Sequence, residues 1–183
     1  MPGLTGRRAA WIAALVGCLV YANALGNGWA LDDAFVVRDN PTVHSLAAAL
    51  GHFFDAYWPT HEGARAGLYR PLAVVSYAVD WALAGGKPWV FHLTNVVFHG
   101  LASGLVVLVL LAWLPPVGAL TAGIMFAVHP VHVEAVANVV GRTEIVMACG
   151  VLLAVLAARR YRRATGTAVG WWLAGTLGAT FVA

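Results

Sequence analysis

His92 to Leu114 reads HLTNVVFHGLASGLVVLVLLAWL, with no Asp, Glu, Lys or Arg anywhere in it. At about 1.5 Å of rise per residue, a helix of that length reaches across the ~30 Å of hydrocarbon in a bilayer. The charge-free stretch is wider still, residues 88–133, and 9–31, 145–158 and 164–183 are charge-free too. The 183 residues are 61% hydrophobic and 10% charged, against about 45–50% and about 25% in a soluble domain. A water-soluble fold of this size leaves too much surface in water to hide so much apolar side chain. Disorder and collagen are excluded as well, since apolar residues dominate and the 20 glycines follow no triplet period. The expected class is an all-α polytopic membrane helix bundle.

Working outward from 92–114, the single membrane domain 1–183 is expected to hold spans at about 9–25, 92–114, 117–133, 143–158 and 164–183. Arg7-Arg8, the apolar core after them and Ala22-Asn23-Ala24 also imitate a cleaved signal peptide, and both readings put residue 26 outside. Pro115-Pro116 forces a hairpin turn, and His129-Pro130 should end or kink the third span. The fourth starts near Val139 or Thr143, and the fifth is still apolar at Ala183, which reads as a chain incomplete at its C-terminus. Arg7 and Arg8 lie four spans from Arg159, Arg160, Arg162 and Arg163, so the positive-inside rule places both groups in the cytoplasm. Residues 26–91 then form a long external loop and 130–142 a second external segment. The net charge of +3 rests on these span-edge arginines rather than a basic groove, so no nucleic-acid partner is expected. Cys18 and Cys149 lie in apolar runs and read as small hydrophobes.

Within the loop, Asn40-Pro41-Thr42 is a helix-start signal. Val43, Leu46, Ala47, Leu50, Phe53, Phe54 and Tyr57 follow at helical spacing. A second amphipathic helix starts at Pro71 and stops at Gly85-Gly86; it is too short to cross and carries Asp80. Two such interfacial helices, with Tyr57, Trp58, Tyr69, Trp81 and Trp89 at headgroup level, roof a site where water meets lipid.

The polar groups gather on that side. Asp32-Asp33 leaves the first span directly; neighbours in an extended segment point opposite ways, so one carboxylate faces a substrate while the other pairs locally, and a solvated turn is the plain alternative. His92, Asn95 and His99 form one stripe, facing a wet cavity or bonding to another helix. His129, His132 and Glu134 suit phosphate contact or structural capping. A divalent metal is the weaker alternative, because proline interrupts the set and no fourth ligand is evident. Arg142 and Glu144 stand at the start of the fourth span, as functional groups or as a mutual pair, and Arg70 is a further external cation or a snorkelling headgroup contact. A carboxylate base and cations at a lipid boundary suit an acceptor hydroxyl attacking a sugar carried on a lipid phosphate.

The runs Tyr21-Ala22-Asn23-Ala24-Leu25-Gly26-Asn27-Gly28-Trp29-Ala30-Leu31-Asp32-Asp33-Ala34, Arg38-Asp39-Asn40-Pro41, Tyr69-Arg70-Pro71-Leu72, His92-Leu93-Thr94-Asn95 with His99, and His129 to Val136 through Gly141-Arg142-Thr143-Glu144 carry a resemblance. Together they resemble the amino-terminal part of the transmembrane O-mannosyltransferases with tetratricopeptide repeats, within the C-type glycosyltransferase superfamily. The resemblance covers most of residues 20–158. It implies a polyprenyl-phosphate sugar donor, typically mannose, and a Ser or Thr hydroxyl of a protein, or another hydroxyl, as acceptor. It implies Asp32 as general base with Asp33 beside it, and transfer with inversion. Arg70, Arg142, His129 and His132 are then candidates to meet the departing lipid phosphate, with His92, Asn95, His99, Glu134 and Glu144 lining the substrate site.

Such enzymes have more spans than this chain and end in a soluble repeat domain, so the chain reads as a fragment. Ten Arg against one Lys, with many Ala and Gly, points to a GC-rich bacterial gene and an inner membrane with the site on its periplasmic face; in a eukaryote the equivalent is the endoplasmic reticulum. The competing class is a transporter or lipid-binding scaffold, which calls for paired broken helices near the midplane, whereas Pro130 is the one clear break.

Overall fold

The computed structural model describes residues 3–51 and 69–162, with Gly170, Trp171, Ala174 and Gly175 beyond them. Every regular element among these residues is helical. Phe53, Phe54, Tyr57, Trp58 and nearly all of the expected span 164–183 lie outside the described residues.

Helix α1 (Gly6–Val20) is opened by Thr5, whose hydroxyl accepts the Arg8 amide at 3.3 Å and so satisfies one orphan donor of the first turn. It continues through a 3-10 turn, Ala22–Gly26. A π turn, Ala34–Arg38, precedes the short α2 (Leu46–Gly51). The helix expected to begin at Asn40-Pro41-Thr42 begins only at Leu46. Asn40 is buried and holds a turn instead, donating to the Val36 carbonyl at 3.0 Å and accepting the Thr42 amide at 3.0 Å, and Ser45 offers the next cap by accepting the Ala48 amide. Helix α3 (Pro71–Ala84) has proline at its first position and ends on Gly85 at φ 58°, a left-handed C-terminal residue that suits glycine.

Helix α4 (Pro88–Leu110) is the central element, beginning a turn before the expected His92 and ending short of Leu114. Helix α5 (Pro116–Ala127) follows the double proline, and the chain breaks at Val128-His129 before a 3-10 turn, Pro130–His132, and α6 (Val133–Ala137). Helix α7 (Arg142–Tyr161) returns along α4. Gly6–Gly26 and Pro88–Leu110 are long and apolar enough to cross a membrane; the pair Pro116–Ala127 and Pro130–Ala137, bent by 47°, is a third if it counts as one broken span. Helix α7 carries Arg142, Glu144, Arg159 and Arg160 and is less apolar than these.

Packing proceeds in three layers along α4. At its start Phe91 joins Val36, Val37, Val43, Val74, Tyr77 and Val139. In its middle Val96, Ala102 and Leu105 meet Tyr21, Val136, Ile145 and Cys149, and near its end Val107 meets Ala9, Ala13 and Ala119. Close approach of α1 to α4 depends on small residues: a Cβ on Gly100 meets the Ala14 carbonyl oxygen at 2.8 Å and runs into Cys18 Sγ. At the far end, Arg159 donates at 3.0 Å to the Val109 carbonyl in the last turn of α4, which also accepts the Ala112 amide at 3.2 Å.

Candidate functional site

The site is built around the turn that follows the first span. The Asp33 amide donates to the Ala30 carbonyl at 2.9 Å, closing residues 30–33. Leu31, the first central residue of that turn, has φ 47°, on the left-handed side that favours glycine. Leucine there carries a left-handed strain, and its side chain is 82% exposed. The turn separates the two acids: Asp32 is exposed, and Asp33 is 0% exposed. The Asp33 carboxylate accepts the amides of Ala30 at 3.1 Å, Val139 at 3.4 Å and Val140 at 2.9 Å. Burial pushes its carboxyl above the ordinary range, while those amides and the nearby His92 imidazole pull it down.

Residues 136–140, which Asp33 grips, are held from several sides. Asn95 on α4 is buried and donates to the carbonyls of Asn138 at 2.8 Å, Val139 at 3.3 Å and Val136 at 3.4 Å. Asn27 donates to the Ala137 carbonyl at 3.4 Å and the Tyr77 hydroxyl to the Val140 carbonyl at 3.3 Å. Gly141 follows because the chain doubles back: a Cβ there lies 2.7 Å from the Glu134 carbonyl oxygen. His92 is enclosed and donates through Nε2 to the Gly28 carbonyl at 3.2 Å, tying α4 to the same loop.

Arg142 opens α7 but does not face outward. It is 0% exposed, and its guanidinium donates to Asn95 Oδ1 at 2.7 Å, the Phe91 carbonyl at 2.9 Å and Ser76 Oγ at 3.1 Å. Nη2 meets Asp80 Oδ2 at 2.6 Å, and the Tyr77 ring lies 4.7 Å from the guanidinium carbon. Arg142, expected to touch a substrate phosphate or to pair with Glu144, has Asp80 as its carboxylate partner here. Residues two apart on a helix face different ways, so Glu144 is exposed while Arg142 turns to Asp80 on α3. Thr94 donates to the other Asp80 oxygen at 2.9 Å.

Arg70 stands at the start of α3, exposed, and donates to Thr143 Oγ1 at 3.1 Å. Deeper along α4, His99 is buried and donates through Nε2 to the Ala127 carbonyl at 3.0 Å. Its ring lies 4.9 Å from that of Tyr21 and 5.2 Å from that of His132. The Tyr21 hydroxyl donates to the His129 carbonyl at 3.2 Å. His129 and Glu134 are exposed and His132 is half-buried. Among the described residues no group of three His, Cys, Asp or Glu side chains is placed to hold a metal ion.

The structure thus brings Asp33, His92, Asn95, Arg142 and Arg70 together around residues 136–143, and places His99, His129 and His132 as a second group at the break after α5. Asp32, Arg70, His129, Glu134 and Glu144 are each exposed. Asp80 is the member that sequence reasoning passed over as a mark of the interface. A signal was present: a lone acid on an apolar helix and a lone arginine at a span end are expected to seek each other where hydrocarbon offers neither a partner.

No family model matches the chain, and no solved structure matches it. Among curated proteins it is similar to protein O-mannosyl-transferase Tmtc1 of Drosophila melanogaster, 36% identical over 158 residues that make up 82% of this chain and 18% of that protein. It is 38% identical to Tmtc2 of the same fly over 149 residues, 79% of this chain and 16% of the relative. It is 33% identical to human protein O-mannosyl-transferase TMTC3 over 159 residues, 85% of this chain and 17% of the relative. The chain thus spans less than a fifth of the length of these relatives.

Proposed function

This chain belongs to the TMTC family of protein O-mannosyl-transferases, and we propose that its helices build the sugar-transferring site of a membrane glycosyltransferase. The donor is a polyprenyl-phosphate sugar, mannose by the relatives' names, and the acceptor a Ser or Thr hydroxyl of a protein. The reading is carried by the separation of the two acids: Asp33 is anchored, which holds Asp32 exposed at the end of the first span. Asp32 takes the proton of the acceptor hydroxyl as its oxygen attacks the anomeric carbon. The bond from that carbon to the phosphate oxygen breaks, and the lipid phosphate leaves with the electron pair. A single displacement, in which the acceptor oxygen attacks with Asp32 as base and no sugar–enzyme bond forms, gives inversion. Arg70 is the accessible cation for the departing phosphate, His129 and His132 are exposed and half-buried imidazoles that can donate hydrogen bonds to it, and charge or donors placed there lower the barrier.

The position of Arg159 at the far end of α4 from His92 supports, with the positive-inside rule, a site on the non-cytoplasmic face, periplasmic in a bacterium or in the lumen of the endoplasmic reticulum in a eukaryote. The test is transfer by the complete protein in lipid vesicles, from labelled polyprenyl-phosphate mannose to a Ser/Thr peptide, with the product's anomeric configuration determined. Labelled peptide with the configuration opposite to the donor's is the expected result. Retention of configuration, or transfer only from a nucleotide sugar, overturns the reading.

A further inference from the structure

The Asp80–Arg142 pair is the enclosed part of the candidate site. Both residues are buried, at 4% and 0% exposure, on helices α3 and α7. A charge pair so enclosed is a weak source of stability in itself, because desolvation offsets most of the attraction. It is well suited to fixing geometry, since a guanidinium presents its donors in a rigid fork. Here every nitrogen of the fork has a partner. Arg142 Nη2 meets Asp80, Nε meets Asn95 Oδ1 at 2.7 Å, and Nη1 meets Ser76. Holding the Asn95 oxygen orients the amide so that its nitrogen points at the carbonyls of Asn138 and Val139, 2.8 and 3.3 Å away. The amides of Val139 and Val140 in turn hold the Asp33 carboxylate, and Asp33 closes the turn that presents Asp32.

We propose that Asp80 and Arg142 are positioning residues, which act through Asn95 and the 138–140 backbone to fix the turn bearing Asp32 and do not contact donor or acceptor themselves. The proposal rests on the reading of Asp32 as the base. It differs from an arginine that contacts phosphate: loss of such a contact raises KM for the donor or, where the contact forms only in the transition state, lowers kcat, and in neither case loosens the 30–40 and 136–141 backbone, whereas a misplaced base lowers kcat together with faster exchange there. Misplacement by about 1 Å is enough to cost on the order of 100-fold in rate.

The experiment uses the complete protein with Asp80→Asn and Arg142→Lys, both close in shape to the native residues. Transfer kinetics are measured against labelled polyprenyl-phosphate mannose, and amide hydrogen exchange is followed across residues 30–40 and 136–141. The expected result is a drop in kcat of about 10-fold or more with KM for donor and peptide within about twofold, together with faster exchange in both segments. A raised donor KM with kcat unchanged overturns the proposal, as does faster exchange with unchanged kinetics, or exchange unchanged in 136–141. Asp32→Asn is assayed in parallel. Full transfer by that variant removes the base assignment, whereas the exchange data on Asp80→Asn still report whether the pair holds the 136–141 segment.

Discussion

The Asp33 carboxylate receives the Val140 amide at 2.9 Å, across 107 residues of chain, and so fastens the turn after the first span to the segment that enters α7. That contact is what leaves Asp32, its neighbour, on the exposed side. Replacing Asp33 by Ala strands the Ala30, Val139 and Val140 amides, and an unsatisfied buried donor costs about 1–3 kcal/mol. Asp33→Ala should therefore lower thermal stability in detergent clearly, and Asp33→Asn, which keeps one carbonyl oxygen, should lose less. Equal losses in the two variants contradict this account of the contact.

The Arg142–Asp80 pair gives a second expectation. Arg142→Met alone leaves a buried carboxylate without its cation, at about 3–5 kcal/mol. The double variant Arg142→Met with Asp80→Leu should regain most of that, because both charges leave together. Thermal unfolding of the four proteins forms the cycle, and additive losses in the double variant would mean that the two side chains do not act as a pair.

Leu31 supplies a test of strain. Its left-handed backbone costs a leucine about 1–2 kcal/mol, which glycine avoids at a chain-entropy cost of about 0.5–1 kcal/mol. Leu31→Gly should be no less stable than the native protein, and Leu31→Val less stable by about 1 kcal/mol or more, since a β-branched residue tolerates that region worst. Calorimetry that ranks the glycine variant below the valine variant contradicts the turn geometry.

At the crossing of α1 and α4, a methyl group on Gly100 meets the Ala14 carbonyl oxygen and Cys18 Sγ. Backbone cannot yield there as a flexible side chain can, so Gly100→Ala should cost about 1–3 kcal/mol. Gly118→Ala, whose Cβ meets its nearest neighbour at an ordinary 3.6 Å, serves as the control that should change little. Similar melting temperatures for the two variants argue against the close approach.

What the sequence could show follows from how local each cause is. Apolar runs, Pro71, Pro88, Pro116 and the glycines after α3 act within a turn or two of their own position, and the helices begin or end at them. Pro130 acts the same way, and the 47° bend stands there. Asn40 also looked local, yet its side chain reaches back to Val36 as well as forward, and that second bond made a turn where a helix start was expected. The site is less legible because its contacts are distant in sequence. Nothing near Asp33 announces Val139 and Val140, and Asp80 and Arg142, two charges on apolar helices that could be expected to meet, are brought together only by the packing of α3 against α4 and α7.

The central claim is that Asp32, and not Asp33, acts on the acceptor hydroxyl. The direct measurement is the rate of mannose transfer to peptide by the complete protein carrying Asp32→Asn, with membrane insertion and thermal stability measured alongside. A general base contributes about 100- to 10,000-fold, so the variant should lose at least about 100-fold in kcat while melting like the native protein. Transfer within a few-fold of native by a folded Asp32→Asn protein would contradict the account.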